Sequence, residues 1–169
     1  MPGPLRFDPI AEARRQWEHR SWDEPAAMAA ATSIMRAQQL VLAAVDGTLR
    51  PLGLTFARYE ALVLLAFTRS GSLPLGKMGE RLMIHPTSVT GIVDRLEADG
   101  LVRRAVHRAD RRVTLCEITD AGREVVRRAT KAVVATRFGL DPLSDRQLDQ
   151  LTTTLRSLRR GTGDFGPQE

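Results

Sequence analysis

Apolar residues recur at helical spacing towards both ends of this 169-residue chain, and the spacing changes twice in between. From Pro9 the run IAEARRQWEHR is rich in helix formers, with Ile10, Ala13 and Trp17 on one side. Residues 21–25 read as a break. Residues 26–50 predict one long helix, striped by Ile34, Met35, Val41, Leu42, Val45 and Leu49 and stopped by Pro51 and Gly53. Gly47 sits inside it at a cost of ~1 kcal/mol. Thr55 is placed to cap a second helix with Tyr59, Leu62, Leu65 and Ala66 on its stripe, and residues 70–72 end it.

The middle is shorter in rhythm. Residues 75–83 predict a short helix. Pro86 sits where a first-turn proline is welcome, because its missing N–H had no helical partner. From there TSVTGIVDRLEAD is amphipathic, with Val89, Ile92, Val93 and Leu96 at i, i+3, i+4 and i+7, and Gly100 ends it. LVRRAV and VTLCEI are runs of strand formers around the polar loop HRADRR, the pattern of a β-hairpin. Thr119 and Asp120 open a helix over about 120–138, broken by Gly139 and Pro142. Ser144 with Gln147 forms a capping box for a last helix to about Arg160. The fold class is mainly α with a small β-hairpin. Three parts follow: 1–60, an N-terminal extension and long helices; 61–119, the compact module; 120–169, C-terminal helices and tail.

Charge sharpens this division. The chain is net +5, yet residues 1–60 are net 0, residues 61–137 net +6 and residues 138–169 net −1. The excess gathers in LVRRAVHRADRR, and Arg binds phosphate and guanine edges bidentately where Lys is a point charge. Helix, helix, hairpin is the order of a winged helix-turn-helix, whose second helix enters the major groove with the hairpin alongside. On that helix Thr87, Thr90, Gly91, Asp94 and Arg95 fall opposite the apolar stripe. A small, polar face lets backbone approach DNA, and hydroxyls can bond base edges or phosphates. An ordinary solvated face would explain the helix alone; the basic hairpin after it favours double-stranded DNA as the partner. Thr87, Ser88, Thr90, Gly91 and Arg95, with Arg108, Asp110, Arg111 and Arg112 of the wing, are the candidate DNA-binding residues.

HPTSVTGIVDRLEADGLVRR, followed by HRADRRVTLCEITDAGRE, resembles the MarR (multiple antibiotic resistance regulator) family of bacterial transcription factors. A similar LE-x-x-G-L-V-x-R stretch closes the family's recognition helix. Asp110, Arg112, Thr119 and Gly122 match its wing pattern, with Ile118 in place of Leu. The resemblance covers about residues 30–160. It implies a homodimer paired through the terminal helices, two wings on successive grooves, and a small-molecule effector bound between the dimerisation and DNA-binding parts. It also implies that Asp110 orients a wing arginine. The expected function is a sequence-specific, ligand-responsive repressor on a pseudo-palindromic operator. The alternative is a protein-interaction module or a non-specific architectural DNA binder.

The helix bearing Trp17 precedes the family's usual first helix and is similar to an addition in its urate-responsive branch. Glu60 and Arg104 match ligand positions of that branch, whereas Gly91 stands where it carries an arginine. The missing guanidinium argues against urate and leaves an unidentified small ligand open at Trp17, Glu60 and Arg104. Packing against the long helices is the better account of Trp17. One cysteine excludes an intrachain disulfide, and Cys116 alternates along a strand as a buried residue would. His19, His85 and His107 show no metal-ligand spacing, and no cofactor is expected. No P-loop, dinucleotide fingerprint or nucleophile elbow supports an enzyme. No secretory pattern and no unbroken apolar run of ~18 residues is present, so a cytoplasmic protein without a membrane partner is expected.

Overall fold

A computed structural model describes residues 5–107 and 110–166. Among these residues seven α-helices and three short strands follow one another as α1 (Pro9–His19), α2 (Pro25–Leu49), α3 (Phe56–Ala66), β1 (Ser72–Pro74), α4 (Leu75–Leu82), α5 (Pro86–Ala98), β2 (Val102–Val106), β3 (Thr114–Ile118), α6 (Asp120–Ala135) and α7 (Asp145–Gly161). Caps set most helix starts. Asp8 accepts from Ile10 N at 2.9 Å, Thr55 from Arg58 N, and Thr119 from Gly122 N at 3.0 Å. Gln147 accepts from Ser144 N at 2.9 Å, completing the expected capping box.

The hairpin is part of a three-stranded antiparallel sheet in the order β1-β3-β2. β1 is absent from the sequence expectation, which treated residues 70–72 only as a helix end. Three residues ending in Pro74 carry no legible alternation, and an edge strand tolerates proline because one side needs no N–H. Its pairing comes from outside: Leu73 lies opposite Cys116, and Ile118 N donates to Gly71 O at 2.9 Å. α6 also ends earlier than expected, at Ala135, because the chain turns through a 3-10 segment at Arg137–Gly139 with Phe138 at φ 54°.

One apolar core ties α3, α4, α5, α6 and the sheet together. Leu62, Leu65, Met78, Val93, Leu96, Cys116, Ala129 and Val133 are fully enclosed. The end of α2 joins it through Val45 and Leu49. Tyr59 spans from α3 to α6, its hydroxyl 3.0 Å from Thr130 Oγ1. The remainder of α2 differs. Pro25–Leu52 is long and apolar enough, by length and composition, to cross a membrane. Its average tolerates the Thr, Gln and Arg that interrupt an unbroken apolar run. No residue of α1 or α7 is buried. Ile34, Met35, Leu40, Leu42, Leu151 and Leu158 lie exposed on α2 and α7.

Candidate nucleic-acid interface

α5 begins at Pro86, with His85 at its N-cap. The ring Nδ1 of His85 accepts from Thr87 N at 3.3 Å, a cap that imidazole provides here in place of the usual Ser, Thr, Asp or Asn. Val89, Val93 and Leu96 are buried against the core, and Ile92 is half-buried. Thr87, Ser88, Thr90, Gly91, Asp94 and Arg95 are all exposed on the other side. Thr90 Oγ1 donates to Pro86 O at 3.2 Å and keeps its lone pairs outward. Arg95 has no ion-pair partner among the described residues. A Cβ built on Gly91 meets nothing within 4 Å, so packing does not demand glycine there.

The wing loop joins β2 to β3. Asp110 Oδ1 accepts from Arg112 N at 3.0 Å and from Arg112 Nε at 3.3 Å. Those donors hold the Asp110 carboxyl below the usual aspartate range. Arg112 itself is 91% exposed, and Arg111 is exposed with no ion-pair partner among the described residues. Arg112 shares a cleft with Lys77 of α4, a basic residue that pattern reading passed over. Arg108 lies outside the described residues.

Lower on the wing, the arginines pair with carboxylates of neighbouring elements, Arg103 while 73% exposed and Arg104 while 28% exposed. Arg103 Nε is 2.8 Å from Glu117 Oε2, its neighbour across β2 and β3. Arg104 donates through its backbone N to Glu97 Oε1 at 2.8 Å, and through its guanidinium to Glu97 Oε2 and, at 2.5 Å, to Asp94 Oδ1. The backbone donor first, and then the guanidinium, hold the Glu97 carboxyl below the ordinary glutamate range.

Two joints connect this surface to the long helices. At the far end of α5, Arg58 of α3 meets Asp99 at 3.3 Å. Thr119 stitches that end to α6: its hydroxyl donates to Gly100 O at 2.8 Å and its N–H to Leu101 O at 3.1 Å. Gly122 has to be glycine, since a Cβ there would sit 2.2 Å from Leu101 O.

The MarR family pattern matches residues 54–114, the span from the start of α3 to the start of β3. Sco5413 of Streptomyces coelicolor, a MarR family transcriptional regulator of solved structure, is 53% identical. The likeness covers 84% of this chain and 99% of that one, with a TM-score of 0.79. The chain belongs to the MarR family of transcriptional regulators. Another S. coelicolor regulator of the family, Sco3205, solved in complex with DNA, is 27% identical over 87% of this regulator and 96% of its own chain, TM-score 0.75. CouR of Rhodococcus jostii RHA1, solved bound to p-coumaroyl-CoA, is 29% identical over 80% and 92%, TM-score 0.66.

The structure brings the hydroxyl face of α5 and the wing together on one winged helix. Trp17, Glu60 and Arg104 have separate surroundings. Trp17 stacks edge-on against Trp22, centroids 4.8 Å apart, and its Nε1 donates to Asp23 O at 2.9 Å. Glu60 is exposed by area, but neighbouring chain desolvates its carboxyl enough to push its pKa up. Arg104 is held by α5. Cys116 is enclosed, and burial pushes its thiol up to about 12, far from a reactive thiolate. Sequence reasoning missed Glu97, Asp94, Arg58 and Asp99 as a set, because their partners lie across the fold rather than at a helical or strand period.

Proposed function

We propose that this regulator binds double-stranded DNA sequence-specifically as a homodimer, with α5 in the major groove and the wing tip beside it. The observation that carries this reading is the exposed Thr87, Ser88, Thr90 and Gly91 face, small enough for close approach, on the same winged helix as the exposed Arg111 and Arg112. Thr87, Ser88 and Thr90 read base edges, Arg95 reaches phosphate, and one of the tip arginines enters the minor groove, where narrow A·T tracts concentrate negative potential. The matched relative solved with DNA supports the assignment.

The dimer rests on the apolar positions of α2 and α7 that one protomer leaves exposed. Helices at both chain ends pair across a two-fold and set the two modules about one turn of DNA apart, ~34 Å, so the operator is a pseudo-palindrome. The protein acts in the cytoplasm as a repressor and has no catalytic role. A small-molecule effector tunes DNA affinity, as the relative bound to p-coumaroyl-CoA supports, with Trp17, Glu60 and Arg104 as the residues to test first.

Selection from a pool of random-sequence duplexes tests the reading. Enrichment of a pseudo-palindrome with half-sites ~10 base pairs apart is expected. Binding without any enriched sequence would replace it with an architectural role. No binding at all would leave a protein-interaction module.

A further inference from the structure

Two acidic side chains stand on the helix assigned to DNA. A free carboxylate beside phosphates repels them, and that repulsion strengthens wherever water is excluded. Asp94 and Glu97 are not free. Glu97 receives both the backbone N–H and the guanidinium of Arg104, and the same guanidinium reaches Asp94 one turn earlier on α5. A single contact would be a pivot. Here a strand residue is fixed through main chain and side chain at once, and its planar fork bridges two positions of the helix. Both sliding of α5 along β2 and rotation about its axis would break a charge-assisted bond. The Arg104 side chain is 28% exposed, against 91% for Arg112 at the tip of the same hairpin, so its charge is turned to the helix.

We infer that Glu97 is a positioning residue for DNA recognition: through Arg104, with Asp94 beside it, it sets α5 and the wing in one register so that both meet the same DNA segment. This rests on the assignment of α5 to DNA made above. The clamp is separable from folding. Val93 and Leu96 bury α5 in the core and Arg58 holds Asp99, contacts in which Glu97 takes no part.

The test uses the full-length protein, the duplex that the wild type selects from a random pool, and a scrambled duplex of the same composition. Glu97→Ala should lose about tenfold in affinity for the selected duplex, the loss expected for charge-assisted hydrogen bonds. Its affinity for the scrambled duplex should hold or rise, because a negative charge has gone. Glu97→Gln should fall between, since its amide oxygen still accepts from Arg104 N. Arg104→Ala should lose discrimination in the same way with an unchanged salt slope.

Equal gains on both duplexes after Glu97→Ala would overturn the inference, reducing Glu97 to a repulsive charge. Parallel losses on both with a lowered Tm would reduce it to a stability contact. A slope shallower by ~0.9 in Arg104→Ala would make Arg104 a phosphate contact instead. A wild type that selects no sequence defeats the underlying assignment, whereas variants that keep the wild-type ratio defeat only the clamp.

Discussion

The base and the tip of the wing carry the same side chain in opposite circumstances. At the base, Arg103 is matched to Glu117, and Arg104 to Asp94 and Glu97. At the tip, Arg111 has no partner among the described residues, and Arg112 leans on Asp110 while remaining open to solvent. Local charge density is therefore a poor guide to where phosphate is met. An arginine whose partner is anchored on another strand or helix gives little to DNA, because binding it elsewhere breaks a bond between elements. One paired only within its own loop, or unpaired, is open to release counterions for each phosphate it neutralises. The basic cluster visible in the sequence divides into a part bound to carboxylates of other elements and a part left open to solvent at the tip.

The strongest break of this comparison is at the tip. Replacing Arg111 and Arg112 together by Ala should cause the largest loss of DNA affinity and should shallow the salt slope by roughly one unit per arginine. Gel shifts across a salt series measure both. Next come the hydroxyls. Changing Thr87, Ser88 or Thr90 to Ala should lose ~1–3 kcal/mol of discrimination for each base contact, read as the ratio of selected to scrambled affinity. A preserved ratio with a lower Tm would make them helix caps only.

Gly91→Ala separates stability from function within α5. The Cβ meets nothing in the protein, and alanine favours a helix interior by ~1 kcal/mol, so Tm should rise. DNA affinity should fall, because the methyl occupies the space left for the polymer. Rising stability with unchanged binding would remove Gly91 from the interface.

The smallest effect lies away from both arginine groups. The Glu60 carboxyl has a folded pKa above its unfolded value, so protonation favours the folded state. The ionised form therefore costs stability as pH rises through the ordinary glutamate range to the raised value. Glu60→Gln should raise Tm slightly at neutral pH and leave it unchanged below that range, by thermal melts at two pH values.

Much of this could be read before the structure. α3 and α5 announced themselves through apolar periods, Pro86 and Gly100 bounded the second, and the wing showed as two strand-forming runs about a polar loop. Those signals are local. β1 was invisible because three residues carry no alternation and its existence depends on β3. Arg104 was read towards a ligand because its position matched a family pattern, while its two carboxylate partners sit on α5, reached only after the chain has turned through Gly100. Asp94 was placed on the DNA-facing side with nothing to explain an acid there; Arg104 supplies the explanation. His85 caps α5 through its ring nitrogen, a role that no spacing of histidines announces.

The most direct test of the account compares two salt titrations on one selected duplex, Arg112→Ala against Arg103→Ala. The tip variant should reduce the slope of log K against log salt by ~0.9, and the base variant should leave it unchanged. Equal reductions in the two would contradict the division between arginines that hold the wing and arginines that hold the DNA.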